Sequence, residues 1–147
     1  MSGYFDIREE WMSFAERTLW LQVAALVAVY GWFFSAVVPG HGQDIAPDQV
    51  VLFVIAAVAL AAIMAVGLSI LAIVARRDTT PDERDRLYAL LGTRNGAFAL
   101  GVAVFVALVT GVAVAGNFAF LNVLLAGWVV AQLVGVGSTI VLYRRGT

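Results

Sequence analysis

Four long apolar stretches, about 18–38, 49–75, 96–116 and 119–143, leave this chain one class of fold. Each reaches the roughly 20 residues that a helix needs to cross a hydrocarbon core of about 30 Å. No water is present there to pair with backbone N–H and C=O groups, so each stretch must coil into a helix that pairs its own. A soluble domain of 147 residues has no interior able to hide a chain that is 62% hydrophobic and 13% charged, against about 25% charged in soluble domains. The sequence therefore predicts an all-α membrane protein: one transmembrane domain over 1–147, folded as a four-transmembrane-helix bundle. At 1.5 Å per residue the second stretch measures about 40 Å, so it must tilt or project past the core.

Arginine placement gives the direction. All nine basic residues are Arg. Arg8 and Arg17 precede span one, Arg76, Arg77, Arg84, Arg86 and Arg94 separate spans two and three, and Arg144 and Arg145 follow span four. The 39–48 connection and the Gly116-Asn117 turn carry none. Four spans put every arginine on one face, whereas three or five would scatter them. By the bias of Lys and Arg toward the inside, both termini and the 76–95 loop are expected in the cytoplasm of a bacterium, with the chain multi-pass in its inner membrane. Trp20, Trp32 and Tyr143 fall near span ends, where amphipathic rings prefer to sit. The first apolar run begins only after Asp6, Glu9, Glu10 and Glu16, so no cleavable signal peptide is expected.

Two helix starts are legible. Thr80-Pro81-Asp82-Glu83 reads as a capping box with proline at the first helical position. The helix it starts is expected to run through Leu87, Leu90 and Leu91 into span three, with Gly92-Thr93-Arg94-Asn95-Gly96 as a weak point that invites a kink. Asp6 with Glu9 is a weaker cap. From it Ile7, Trp11, Phe14, Ala15 and Thr18 recur at helical spacing, so 3–17 reads as an amphipathic segment. It either lies on the inner membrane surface, the preferred reading, or extends span one.

Inside the membrane, small residues recur at every fourth position: Ala57, Ala61, Ala65 and Ser69 in span two; Ala99, Ala103, Ala107, Gly111 and Ala115 in span three; Gly127, Ala131, Gly135 and Thr139 in span four. Such rows let backbones approach closely, which replaces the missing hydrophobic force between helices in lipid. Packing within the bundle is the first expectation. Three rows also leave room for one to face a second copy, as a homodimer or within a larger membrane complex.

Several functions are disfavoured. The chain has no Cys and no Lys, and a net charge of −1 offers no field for nucleic acid. No Asp, Glu, Arg or His lies deep in a span, where ion-coupled transporters hold one. Small multidrug exporters share the four short spans but depend on a membrane-embedded Glu that has no counterpart here. Di-haem membrane cytochromes need paired histidines, and the only one here is His41. Intramembrane polarity is confined to Gln22, Asn122, Gln132, Ser138 and Thr139, with Gln132 mid-span. These read as interhelical hydrogen-bonding groups, or as the lining of a small-solute path through Gln132, Ser138 and Thr139. His41, Asp44 and Asp48 read as a solvated loop in preference to a metal site. No phosphate loop, nucleophile elbow or HExxH is present. The expectation is no catalytic residue, no metal, no cofactor and no enzyme.

What remains is the Arg76–Arg86 island, RRDTTPDERDR, with four arginines and four carboxylates. Its carboxylates suit a helix start, and Arg84, Leu87, Leu91 and Arg94 are expected to share one face. Asp82, Glu83, Arg84, Asp85, Arg86, Leu87, Leu91 and Arg94 are the candidate docking residues for a cytoplasmic protein partner. The Asp-Glu-Arg-Asp run at 82–85 ahead of span three and the closing Tyr143-Arg144-Arg145-Gly146 resemble a family of small bacterial four-helix integral membrane proteins of unknown function. Its members often appear beside small helix-turn-helix regulators. The chain departs from that family in lacking Lys and in the 92–96 interruption. The resemblance implies no activity, but it favours a non-enzymatic interaction or regulatory protein, or an accessory subunit, over the alternative of a small, dimeric channel or facilitator for a small neutral solute or ion.

Overall fold

The computed structural model describes residues 14–40, 42–75 and 83–145. Four long helices follow one another: α1 (Phe14–Val37), α2 (Pro47–Ala75), α3 (Glu83–Ala113) and α4 (Phe118–Arg145), with a single 3-10 turn over Val38–Gly40. All four are long and apolar enough to cross a membrane, and regular structure among the described residues is entirely helical. The protein is an all-α, multi-pass four-helix bundle. At 1.5 Å per residue, α3 is about 46 Å long and must project beyond a hydrocarbon core of about 30 Å.

Two boundaries differ from expectation. Phe14–Arg17 follow the alternative reading and not the preferred one: they extend span one as the first turn of α1, where Thr18 Oγ1 donates to the Phe14 carbonyl at 3.0 Å. The rest of that segment lies outside the described residues, as do His41 and the Thr80–Asp82 part of the capping box. Gly92–Gly96 does not interrupt α3, which is helical throughout. These glycines are points of close approach to α4. A Cβ at Gly92 would meet the Thr139 hydroxyl and stand 2.6 Å from the Gly135 carbonyl oxygen, and one at Gly96 would stand 3.1 Å from that of Ala131.

Across the molecule the helices lie in the order α2–α1–α4–α3, and the α3–α4 pairing is the most extensive. α1 is the central helix. Its Leu26, Val29, Tyr30, Phe33 and Val37 are buried with Ala56 of α2 and Val129 of α4. Edge-on rings extend this core: Tyr30 against Trp128 at 5.8 Å and Phe33 against Phe53 at 6.3 Å between centroids. α2 packs chiefly on α1, and α2 and α3 do not close on each other.

The predicted small-residue rows divide. Ala103, Ala107 and Gly111 of α3 do face α4: a Cβ at Gly127 would strike Ala103, Phe120 covers Gly111, and Ala107 is fully buried. Gly127, Ala131, Gly135 and Thr139 form the opposing row on α4. In α2, Ala61, Ala65 and Ser69 are exposed. α2 meets α1 instead through buried Ala56 and through Gly67, whose Cβ position is covered by Leu21.

The end without arginines is held by its two connections. Ile45 N–H donates to Asn117 Oδ1 at 2.8 Å, and Asn117 N–H donates to Asp44 Oδ1 at 3.1 Å. Phe118 N–H donates to the Gln43 carbonyl at 3.1 Å. The 43–45 segment thus caps the start of α4, whose first N–H groups have no partner within the helix. Gln49 caps α2 in turn: its Oε1 accepts from Ala46 N–H at 3.1 Å and its Nε2 donates to the Gly40 carbonyl at 3.4 Å. Asp44 lies on an exposed loop, as expected, and also accepts the Asn117 N–H.

Candidate functional site

At the arginine-bearing end, the first turns of α3 have a fixed side and a free side. Glu83 and Asp85 sit in the first turn, where carboxylates complement the positive end of the helix dipole. Asp85 turns inward: Tyr143 Oη donates to its Oδ1 at 2.5 Å, and the Tyr88 ring meets the Tyr143 ring edge-on at 5.2 Å. Gly92 then seats on α4, and Thr139 Oγ1 reaches the Tyr88 carbonyl at 3.4 Å. The fixed stripe is therefore Asp85, Tyr88, Gly92 and Gly96. On the opposite stripe Leu87, Leu90 and Phe98 are 55%, 67% and 72% exposed, with Arg94 exposed between them. Glu83, Arg84 and Arg86 are also exposed, while Leu91 is half-buried.

The sequence-derived docking set is thereby redrawn. Leu87 and Arg94 share the free face, with Arg84 at its edge. Leu91 gives way to Leu90, Asp85 belongs to the internal contact, and Asp82 lies outside the described residues. Leu90 and Phe98 were missed, although the glycines at 92 and 96 already mark the side of α3 that must face a neighbour, and thus the side left free.

Behind this face the helix ends are tied. Arg144 Nε stands 3.6 Å from Glu16 Oε1, and its guanidinium lies 5.6 Å from the Trp20 ring centroid. An ion pair whose arginine is exposed and screened contributes under about 1 kcal/mol. The Tyr143–Asp85 hydrogen bond, half-buried and made to a carboxylate, contributes more. Replacing Tyr143→Phe should cost about 1.5 kcal/mol, read as a lowered thermal midpoint in detergent. An unchanged midpoint would mean that this hydrogen bond adds nothing beyond the Tyr88 ring contact and the Arg144 contacts.

A second candidate lies within the bundle. Gln22 of α1, Thr93 of α3, and Gln132 and Thr139 of α4 line one cavity of about 380 Å3. Gln22 and Gln132 border the same space. Thr139 is already engaged, donating to the Gly135 and Tyr88 carbonyls. Ser138 is not part of this lining. Asn122 lies toward the other end, its Nδ2 donating to the Phe118 carbonyl at 3.0 Å, and borders a larger apolar cavity of about 560 Å3.

No protein-family model matches this chain. No match is found among curated proteins or solved structures either.

Chemically, the two places differ. The free face of α3 offers leucines between guanidinium groups, a surface for contact with another molecule. The inner cavity offers primary amides and hydroxyls without a charged lining residue, which suits hydrogen bonding to a neutral group. Among the described residues no cluster of three His, Asp or Glu side chains is placed to hold a metal ion.

Proposed function

We propose that the protein is a non-enzymatic interaction subunit of the bacterial cytoplasmic membrane that docks a protein partner through the first turns of α3. The observation that carries this reading is the two-sidedness of that segment. Asp85, Tyr88 and Gly92 fasten one side to α4, so Arg84, Leu87, Leu90 and Arg94 are presented on a helix already fixed in place. Pre-organisation of this kind lowers the ordering cost of association. The arginines supply charge selectivity, which acts on partner choice and on association rate. The positive-inside bias sets this end toward the cytoplasm, and the resemblance to small four-helix proteins found beside regulators points the same way.

A photoreactive benzoylphenylalanine at position 90 tests the proposal in native membranes. The expected result is one discrete protein adduct whose yield falls about tenfold when Arg84 and Arg94 are both changed to Glu. Adducts to lipid alone, or a protein adduct indifferent to the charge reversal, would remove the docking face. A second reading, a facilitator for a small neutral solute, is favoured by the convergence of Gln22, Thr93 and Gln132 on one cavity. It requires solute flux in liposomes that Gln132→Leu abolishes.

A further inference from the structure

The two cavities adjoin at Leu100 of α3, which lines both. The inner one is bordered by Leu19 and Gln22 of α1 and by Gln132 and Val136 of α4. The outer one is bordered by Phe33 and Val37 of α1 and by Leu125 and Trp128 of α4. Both follow the seam between α1 and α4. From Gln22 to Val37 the seam runs about 22 Å at 1.5 Å per residue, the reach of a long acyl chain. Because α2 and α3 do not close on each other, the seam opens sideways toward lipid.

Polarity along the seam is graded. At the inner end the amides of Gln22 and Gln132, both half-buried, make no hydrogen bond with the described residues, and an amide left unpaired against lipid costs free energy. At the outer end most polar groups are already engaged: both ends of the Gln49 amide are bonded, and the Asn122 amide nitrogen is bonded to its own helix. The rest of that end is aliphatic and aromatic. No charged side chain lines either half, so a charged headgroup would enter without a counter-charge.

We propose that this seam binds a single-chain amphiphile with an uncharged, oxygen-bearing head. The head sits between Gln22, Thr93 and Gln132, and the chain passes Leu100 to lie against Phe53, Leu125 and Trp128. Such a ligand satisfies the two free amides and fills the apolar half with matching surface. The claim is independent of the docking face and requires no passage of solute across the membrane.

The probe is a monoacylglycerol with a diazirine at mid-chain, offered to the full chain in phosphatidylcholine nanodiscs, with adducts mapped by mass spectrometry. Saturable labelling of Phe53, Leu125 or Trp128 is expected, competed by unlabelled monoacylglycerol and not by a fatty acid or a lysophosphatidylglycerol of equal chain length. The lipid-facing Val102 and Phe105 serve as the reference for ordinary bilayer contact. Gln22→Leu with Gln132→Leu should weaken groove labelling about tenfold and leave the reference unchanged. Leu100→Trp, which keeps both amides, should block chain labelling at Trp128 on its own and so covers the case in which the double variant does not fold. The proposal is overturned by groove labelling that does not saturate, by equal competition from the anionic lipids, or by indifference to the variants. Crosslinks from Phe53 to a second copy would overturn it too, by naming another helix as the occupant.

Discussion

Leucine in place of Gly92 should unzip the α3–α4 pair and cost about 3 kcal/mol or more. A single Cβ at this position already meets the Thr139 hydroxyl and the Gly135 carbonyl, and the carbonyl belongs to a helix backbone that cannot step aside. A larger side chain must push α4 away along its whole contact with α3, including the Gly96–Ala131 and Gly127–Ala103 approaches. The same helix supplies the control. A Cβ at Gly101 would have nothing within 4 Å, so Gly101→Leu should change stability by less than about 1 kcal/mol, and in the favourable direction by helix propensity. Gly135→Leu and Gly137→Leu repeat the contrast on α4, since only the first faces α3. Unfolding by sodium dodecyl sulfate titration reads all four. Equal losses at 92 and 101 would mean that α3 and α4 do not pack through their glycines.

Valine in place of Gly116 should cost a similar amount, about 3 kcal/mol, for a different reason. Gly116 has φ of +82°, a left-handed conformation that a β-branched residue resists. Its Cβ would also meet the Gln43 carbonyl, which accepts the Phe118 N–H. The substitution therefore strains the turn and pries 43–45 away from the start of α4. Gly42→Ala, where the added carbon stands 3.6 Å from the nearest atom, should be close to neutral. The mechanism has its own signature. Asp44→Ala should cost about 1 kcal/mol in the native background and little once Gly116→Val has opened the contact, because coupled residues are not additive. Additive losses would place the Gly116 effect in the turn alone.

The architecture was legible because it follows from solvent chemistry: stretches of such length and apolarity have only the helix available in lipid. Pairing was harder to read. Alanine every fourth residue is a packing row only if the neighbour's small residues come to meet it. That holds for Gly127–Gly135 against Gly92–Ala103, but not for Ala61, Ala65 and Ser69, which face outward. The 92–96 glycines carried two physical meanings, helix weakness and close approach, and only the position of α4 decides between them. Likewise the sharing of one cavity by Gln22 and Gln132 depends on how deeply two helices from opposite ends of the chain are set against each other. Single-sequence spacing does not encode that depth. The hydrogen bond of the exposed loop carboxylate Asp44 was not legible, because its partner, Asn117, is far along the chain and signals nothing locally.

The mutual capping of 43–45 and 117–118 also bears on biogenesis. It joins the connector of the α1–α2 hairpin to the turn of the α3–α4 hairpin, so its hydrogen bonds exist only after both hairpins have carried their tips through the bilayer to the same side. A chain with one hairpin stalled or inverted is left with uncapped N–H groups at the start of α4 and a vacant Asp44 carboxylate. The contact therefore forms only in molecules whose two hairpin tips lie on the same side.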